Sequence, residues 1–243
     1  MNTSLIPDWP APAGIRACVT TRAGGVSLEP FDSLNLGDHV GDDPVSVAQN
    51  RQCLTKFFEV QPAWLSQVHG VVVAPANPDQ IAEADASWTA TPGIACTVMT
   101  ADCLPALFCD RAGTRVAAAH AGWRGLAAGV LEAAAKSLQV EPHDILVWLG
   151  PAIGPKVFEV GGEVREVFVQ DLPDAAAAFV PSINEGRYMA DIYELARLRL
   201  ARSGITAVYG GGFCTVTDPR FFSYRRSPRT GRFASLVWIE KTV

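Results

Sequence analysis

The sequence has no long hydrophobic run and almost no clustered positive charge. No segment approaches the roughly 20 consecutive apolar residues that a membrane-spanning helix needs. The N-terminal stretch MNTSLIPDWPAPAGI lacks the basic region and apolar run of a secretory signal. The formal net charge is −5, and Arg225 and Arg226 form the only basic cluster. We therefore expect a soluble, cytoplasmic protein with neither a membrane nor a nucleic acid as partner.

Histidine is scarce, and the cysteines are not arranged in pairs. The six cysteines form no C-x-x-C motif and mostly lie in apolar runs. This pattern predicts buried, reduced thiols in a reducing compartment, with Cys103 as the exception discussed below. The sequence has only four histidines, namely His39, His69, His120 and His143. Four histidines are too few for the several copper centres of a multinuclear oxidase.

The order of predicted elements favours a mixed α/β fold. Helices are predicted over 44–58, 124–140, 162–169 and 189–204. Strands are predicted over 15–21, 63–69, 114–120, 144–150, 205–211 and 233–240. Residues 70–74 are predicted to pair with 63–69. Two more strands are predicted within 93–110, with a break between them at TADC. Because several strands follow one another directly, we expect mixed sheets in a layered α/β arrangement. No repeat, linker or boundary divides the chain, so we expect a single domain over 1–243.

Three metal-capable side chains occur where predicted strands end or break. His69 and His120 each end a strand shortly before a glycine, and Cys103 lies at the break between two strands. Strand ends at one edge of a sheet converge in space. Two histidines and one cysteine would hold zinc and leave a fourth position open for water or substrate. The alternative is two strand-end histidines bonded to the backbone and a cysteine in the core.

Two charged neighbours bear on this hypothesis. Asp102 precedes Cys103 in an otherwise apolar run and needs a partner if it is buried. It would either orient a ligand histidine through the second ring nitrogen or cap a turn. Arg124 opens the helix that follows HAGW, where it would attract an anion or form a surface ion pair.

Eight short motifs occur in one order along the chain. They are TTRAGGVS (20–27), SLNLG (33–37), QVHG (67–70), MTADCLP (99–105), HAGWRG (120–125), GPAIG (150–154), FEVG (158–161) and FFSYRR (221–226). Together they resemble the bacterial YfiH family, also called the laccase-domain or PgeF family. The resemblance covers residues 6 to 240, with no departure at the key motif positions.

The resemblance implies a fold, a metal and several activities. The family fold is a layered α/β/β/α domain akin to the catalytic domain of cytotoxic necrotizing factor. Its active-site zinc would be held here by His69, Cys103 and His120. Family members are credited with phosphorolysis of adenosine, inosine and methylthioadenosine and with adenosine deamination. They are also linked to peptidoglycan editing, which removes a misincorporated serine from a muropeptide precursor, and older names call them polyphenol oxidases or laccases.

Candidate site residues follow from these motifs. The metal ligands and Asp102 are the candidate catalytic residues. A guanidinium fork matches two phosphate oxygens, so Arg22, Arg124 and Arg226 are candidate phosphate ligands. Asn35 of SLNLG and Gln67 of QVHG complete the candidate substrate-binding set. The sequence lacks the H-x-E and P-C-x-x-C pattern of the usual zinc deaminases, so deamination would need another proton shuttle, Asp102 or Glu159.

Other chemistries remain open at this point. A zinc-bound water would also suit amide hydrolysis, and a metal-free site would use Cys103 as nucleophile with His120 as base. A His₂Cys set also binds copper, with Met99 as a possible axial ligand. A structural zinc would need a fourth ligand, for which His39 is the nearest candidate, whereas His143 is expected at the surface.

Overall fold

A computed structural model of the chain describes residues 4–241. The strands are β1 (Ile15–Val19), β2 (Gln61–Ala63), β3 (Leu65–Ser66), β4 (Val73–Pro75), β5 (Ala82–Glu83), β6 (Ala86–Thr89), β7 (Ile94–Thr100), β8 (Leu104–Asp110), β9 (Val116–Ala121), β10 (Ile145–Leu149), β11 (Glu159–Gly161), β12 (Phe179–Pro181), β13 (Arg187–Ala190), β14 (Val208–Gly210) and β15 (Phe233–Ile239). The α-helices are α1 (Pro44–Phe58), α2 (Trp123–Ala128), α3 (Val130–Ser137), α4 (Gly162–Asp171) and α5 (Ile192–Arg202). Short 3-10 helices cover Pro142–Asp144 and Pro173–Ala178.

Two mixed sheets form the centre of the molecule. A four-stranded sheet has the order β1-β15-β7-β2, in which β2 pairs parallel to β7 and the other pairs are antiparallel. A six-stranded sheet has the order β14-β10-β8-β9-β6-β4, with parallel pairs at both edges. A three-stranded sheet, β11-β13-β12, and a two-stranded sheet, β3-β5, lie outside these two. The expectation of mixed sheets is confirmed.

The hydrophobic clusters show how the layers stack. Alternating residues of β8 face opposite ways: Phe108 packs into a cluster with the helices α3 and α5, and Leu107 packs into a cluster with the four-stranded sheet. A third cluster, which contains Leu54 of α1, covers the far side of the four-stranded sheet. The order is therefore helix, sheet, sheet, helices, which confirms the layered α/β/β/α expectation. The likeness to cytotoxic necrotizing factor stays a prediction.

Local sequence explains helix α1 well. Asp43 caps its N-terminus by accepting a hydrogen bond from the Ser46 backbone N–H at 3.0 Å, and Pro44 occupies the first helical position. The helix ends at Phe58, and its C-cap residue Glu59 adopts a left-handed conformation with φ 54°. The predicted bounds of 44–58 are confirmed.

Several predicted elements differ from those in the structure. The predicted helix 124–140 is split because Gly129 has φ 100°, which interrupts the helical backbone between α2 and α3. The predicted strand 63–69 stops at Ser66, and residues 67–70 form a turn instead. Strand β4 pairs with β6 and not with the 63–69 segment. The predicted helix 189–204 begins at Ile192, because residues 187–190 form strand β13.

The helices of the described residues include none that is both long and apolar enough to cross a bilayer.

Candidate metal centre

Three metal-capable side chains meet at one end of the six-stranded sheet. Strands β8 and β9 pair with Leu104 opposite Ala121, so the turn that carries Cys103 lies beside His120. His69 approaches from the turn after β3. The ligand atoms of His69, Cys103 and His120 all lie within 4.8 Å of one another, and Cys103 Sγ is 3.7 Å from His69 Nε2. The structure therefore brings together the trio that the sequence indicated.

The three side chains of the cluster differ in their exposure to solvent. His69 is exposed, Cys103 is half-buried and His120 is 3% exposed. The two imidazole rings pack edge to face, with centroids 4.7 Å apart. A ligand that enters from solvent therefore meets His69 first and reaches His120 at the bottom of the site.

One carboxylate that the motifs do not single out, Asp85, contacts both histidine segments. Asp85 Oδ1 lies 2.7 Å from His120 Nδ1. The same carboxylate accepts hydrogen bonds from the backbone N–H groups of Val68, His69 and Gly70 at 2.6–3.2 Å. A signal was present in the stretch EADASW, since a carboxylate among small residues before a buried strand needs a partner.

Asp102 bonds to a distant segment of the chain and not to a histidine. Its Oδ1 accepts a hydrogen bond from the Thr215 hydroxyl at 2.6 Å, and its Oδ2 accepts one from the Arg225 backbone N–H at 2.6 Å. Both carboxylate oxygens are thus bonded to the segment that follows β14, and neither bonds to a histidine. Asp102 also has φ 92°, an uncommon conformation for this residue type. Asp102 connects the Cys103 turn to the 215–225 segment, so of the two alternatives that the sequence left open, the structure does not favour orientation of a ligand histidine.

The thiol and the imidazole perturb each other strongly. Burial raises the pKa of Cys103, but the charge of His120 and hydrogen bonds from both histidines outweigh burial and lower that pKa to about 6. Burial lowers the pKa of His120, but the charge of Cys103 and the hydrogen bond to Asp85 outweigh it and raise that pKa to about 9. The metal-free site therefore holds a thiolate beside an imidazolium near pH 7.

The donor set fits a tetrahedral metal ion, and the Cys103 Sγ–His69 Nε2 separation of 3.7 Å is close to that between two zinc ligands. Zinc bonds of about 2.0–2.3 Å at tetrahedral angles separate ligand atoms by about 3.3–3.6 Å. Gly122 gives the cluster the room it needs, because a Cβ there would lie 2.6 Å from His69 Cδ2 and 3.1 Å from Cys103 Sγ. Among the described residues, the cluster has three protein donors, which leaves a coordination position for water or substrate.

A cavity of about 480 Å³ opens in front of the cluster. Three arginines line it, Arg124 from α2 and Arg225 and Arg232 from the segment before β15. Within residues 4–241, no carboxylate lies at ion-pair distance from these three guanidinium groups. Two aromatic rings, Trp123 and Tyr224, also line the cavity, and the Arg124 guanidinium lies 4.4 Å from the Trp123 ring centroid. Cationic groups and flat rings therefore surround the open metal position.

Two of the three predicted phosphate ligands lie elsewhere. Arg22 donates to the Asp32 backbone oxygen at 2.8 Å and pairs with the Asp32 carboxylate at 2.9 Å. The Arg226 guanidinium donates to backbone oxygens of Thr215 and Phe221. Both arginines line a separate, smaller cavity of about 270 Å³. Arg124 lines the cavity at the metal cluster, whereas Arg22 and Arg226 do not, and the role of all three as phosphate ligands stays a prediction.

The side-chain amides of Asn35 and Gln67, predicted to bind substrate, form hydrogen bonds with the backbone. Asn35 is 0% exposed, and its amide bonds to Gly37, Asp42 and the Arg232 backbone N–H. Asn35 therefore holds the loop that supports Arg232 and has no atom free for substrate, which corrects that expectation. Gln67 lines the cavity, but its amide bonds to both the N–H and the C=O of Met99 at 2.7 and 2.8 Å. These two hydrogen bonds connect Gln67, in the His69 turn, to strand β7.

The other candidate residues lie outside the donor cluster. His39 lines the cavity without joining the donor cluster, and His143 is exposed, as expected. The Met99 sulfur contacts the Arg51 guanidinium at 3.8 Å, and Met99 also lines the cavity. The Glu159 carboxylate bonds to Ser182 and Asn184 in the region of the three-stranded sheet.

The cysteines divide into buried and accessible groups. None forms a disulfide among the described residues, and Cys18, Cys96 and Cys109 are buried, as expected. Cys53 is exposed, which corrects the expectation for that residue. It lies off the buried stripe of α1 that contains Val47 and Leu54. Cys214 is half-buried.

Comparison with known proteins shows consistent similarity over the whole chain. A family profile described as multi-copper polyphenol oxidoreductase laccase matches residues 16–240. A purine nucleoside phosphorylase of Pseudomonas aeruginosa is 69% identical, and the alignment covers 99% of this chain and all of that protein. The purine nucleoside phosphorylase YfiH of Escherichia coli is 54% identical, with 98% and 100% covered.

Solved structures agree with the sequence matches. A Neisseria meningitidis protein has a TM-score of 0.95 and 51% identity, and the alignment covers 98% of this chain and 99% of that one. YlmD of Geobacillus stearothermophilus has a TM-score of 0.88 and 31% identity, with 96% and 94% covered. The chain therefore belongs to the multi-copper polyphenol oxidoreductase laccase family, as its YfiH-like motifs indicated.

Proposed function

We propose that this protein is a zinc-dependent purine nucleoside phosphorylase that cleaves adenosine, inosine and methylthioadenosine and also deaminates adenosine. The observation that carries the proposal is the three-donor cluster His69, Cys103 and His120, which opens into a cavity lined by three arginines that have no carboxylate partner among the described residues. Relatives at 69% and 54% identity named as purine nucleoside phosphorylases support the same activity.

The cavity suits the two substrates of phosphorolysis. Arg124, Arg225 and Arg232 bring three guanidinium charges to the cavity. Arg225 and Arg232 also donate to backbone oxygens, and their remaining N–H groups, with those of Arg124, would meet phosphate oxygens. The rings of Trp123 and Tyr224 offer flat apolar surface for a purine. In the reaction, a phosphate oxygen forms a bond to ribose C1′ while the C1′–N9 bond breaks and its electron pair moves onto the purine. Arginines hold the attacking group, and the aromatic wall holds the leaving group.

The donor cluster supplies a second kind of chemistry. A bound zinc ion lowers the pKa of a water ligand to roughly 7 and polarises an oxygen of the substrate. Asp85 keeps the His120 ring in the orientation that presents Nε2 to the cluster. Gly122 keeps the approach to Cys103 and His69 clear. Such a site suits adenosine deamination, because water and not phosphate is the nucleophile in that reaction.

Zinc fits this chain better than a set of coppers. The described residues contain one group of three donors, and neither His39 nor His143 belongs to it. Reduction of oxygen to water takes four electrons, whereas one copper ion passes one electron at a time. A single site of this kind does not supply the chemistry of a multinuclear oxidase, in spite of the name of the family.

The test is product identification with metal-defined protein. Zinc-loaded protein is incubated with inosine plus phosphate, with adenosine alone, and with a serine-containing muropeptide precursor. We expect hypoxanthine and ribose 1-phosphate from the first and inosine from the second. Release of serine from the third without any nucleoside cleavage would replace the proposal with an amidase, and oxygen uptake with a phenol by the copper-loaded protein would replace it with an oxidase.

A further inference from the structure

One buried carboxylate contacts both histidine segments of the donor cluster. Asp85 is 0% exposed. Its Oδ1 accepts from the His69 backbone N–H at 2.9 Å and lies 2.7 Å from His120 Nδ1. Its Oδ2 accepts from the Gly70 and Val68 backbone N–H groups at 2.6 and 3.2 Å. Four donors thus surround the two oxygens, which is the full capacity of an ionised carboxylate.

The contact with His120 selects one form of the imidazole ring. An acceptor at Nδ1 keeps the proton on that nitrogen, so the lone pair of the neutral ring is on Nε2. Nε2 is the nitrogen left to face Cys103 and His69. The His120 backbone N–H also donates to the Asp85 carbonyl at 2.7 Å, so the two residues are fixed to each other twice.

The contact with the His69 turn holds a strained backbone. His69 has φ 62°, which a residue other than glycine rarely adopts. Three successive N–H groups of this turn converge on the Asp85 carboxylate, which compensates for the strain. Helix α2 supports the turn from the other side, because a Cβ at Gly125 would lie 2.8 Å from the Gly70 carbonyl oxygen.

We propose that Asp85 is a positioning residue that presets both histidines of the cluster before a metal ion binds, through the ring of His120 and the backbone of the His69 turn. The inference rests on the metal site of the proposed function. It adds that zinc affinity depends on a residue that is not itself a ligand and that lies in a different segment from all three donors.

An amide in place of the carboxylate cannot serve both histidines. In Asp85→Asn, one orientation of the amide points its NH₂ group at the Val68 and Gly70 N–H donors and weakens the turn. The other orientation points the NH₂ group at His69 N–H and at His120 Nδ1. That arrangement favours the opposite tautomer of His120, in which Nε2 carries the proton and cannot bind metal. Side-chain volume is almost unchanged in both cases.

The chain offers a matched control in Asp110. This aspartate is also buried, at 2% exposed, and lies at the opposite end of β8 from the cluster. Its carboxylate accepts from the Thr114 N–H, the Thr114 hydroxyl and the Arg115 N–H. Asp110→Asn therefore removes a comparable buried hydrogen-bond network without touching the histidines.

The experiment compares wild type, Asp85→Asn and Asp110→Asn as full-length proteins. Zinc affinity is measured by competition with a chromophoric chelator, and hydrogen exchange of the 68–70 amides is measured in the metal-free proteins. We expect Asp85→Asn to bind zinc about 10- to 100-fold more weakly and to exchange these amides faster. A cobalt-substituted Asp85→Asn protein should also show a changed visible spectrum. Asp110→Asn should match wild type in all three readouts, even if its unfolding temperature falls.

Wild-type zinc affinity and unchanged exchange in Asp85→Asn would overturn the inference. If that variant does not fold, nitrogen-15 NMR of the metal-free wild-type protein decides, at a pH well above the His120 pKa of about 9, where the ring is neutral. A proton on Nδ1 of the neutral His120 ring supports the inference, and a proton on Nε2 instead overturns it. These outcomes are separate from the proposed function. Tight zinc binding without nucleoside cleavage would remove the phosphorylase and leave the role of Asp85 intact.

Discussion

Gly122 lies directly against His69, so close that the smallest side chain at position 122 would displace the histidine. A Cβ there would come 2.6 Å from His69 Cδ2. Gly122 itself has φ −62°, which any residue adopts, so the requirement for glycine is steric and local to the metal cluster.

Gly122→Ala should therefore weaken the metal site. Overpacking of a close-packed site costs roughly 1–3 kcal/mol, which corresponds to about 5- to 150-fold in zinc affinity if His69 is the group that moves. Zinc affinity is measured by chelator competition. Gly14→Ala is the control, since a Cβ at Gly14 meets nothing within 4 Å. Equal zinc affinity in the two variants would show that the cluster does not depend on this contact.

Removal of each donor should remove the metal. We expect His69→Ala, Cys103→Ala and His120→Ala each to lose the zinc that the purified wild-type protein carries, as measured by atomic emission. His143→Ala, at an exposed histidine outside the cluster, should keep it. Full zinc content in all three cluster variants would place the metal elsewhere.

Cys103 should be reactive in the metal-free protein at unusually low pH. Its pKa is lowered to about 6, so the thiolate is present above that pH and is lost as the pH falls through it. Alkylation of the Cys103 peptide by iodoacetamide, followed by mass spectrometry, should rise with pH around 6. Cys96 is an internal control, because burial raises the pKa of that thiol to about 12. Zinc should protect Cys103. A rise that begins only near pH 9 would contradict the lowered pKa.

The arginines of the metal cavity should bind the phosphate substrate. A lysine keeps the charge but loses the paired N–H geometry. Loss of one charged hydrogen bond costs about 1.5–3 kcal/mol, so the apparent phosphate KM of inosine cleavage should rise about 10- to 150-fold in the variant at the true phosphate site. The substitutions are Arg124→Lys, Arg225→Lys and Arg232→Lys.

Arg22→Lys and Arg226→Lys serve as controls, because those guanidinium groups lie in a separate cavity. A strong effect in the controls alone would restore the phosphate site that the sequence predicted. Zinc content should remain unchanged in all five variants. Adenosine deamination should also persist, since it needs no phosphate.

The sequence was sufficient where local chemistry decides the structure. Helix α1 has its cap at Asp43 and a proline at its first position, and its bounds were predicted correctly. The three metal-capable residues were recognisable because strand ends converge and because the QVHG, ADCLP and HAGWRG motifs carry them. Turns after short strands were harder, and the His69 turn is held by Asp85 from 15 to 17 residues away in the chain.

The orienting carboxylate was missed because two aspartates meet the same sequence criterion. Asp85 and Asp102 are both carboxylates among small or apolar residues. Adjacency to Cys103 favoured Asp102, whereas strand pairing brings Asp85 to His120. Asp102 is directed instead to Thr215 and Arg225, more than a hundred residues away. Only the tertiary arrangement separates the two.

The sequence also does not indicate which arginines line the cavity. The segment SYRRSPRTGR contains four arginines, and the sequence does not tell which of them turn inward. All three of Arg225, Arg226 and Arg232 donate to backbone oxygens, but Arg225 and Arg232 line the metal cavity, whereas Arg226 lines the smaller one. Burial lowers the pKa of Arg232, and the nearby charges of Cys103 and Asp102 partly offset that effect, as expected for a cation placed beside the cluster.

Phosphate-dependent nucleoside cleavage by the zinc form is the most direct test of the account. Metal-free protein is reloaded with one equivalent of zinc or of copper and incubated with inosine and phosphate, and the products are followed by phosphorus-31 NMR. The account predicts a ribose 1-phosphate signal that appears with zinc, disappears without phosphate or with chelator, and is absent for Cys103→Ala. No ribose 1-phosphate from the zinc-loaded wild-type protein, or equal amounts from the metal-free protein, would contradict it.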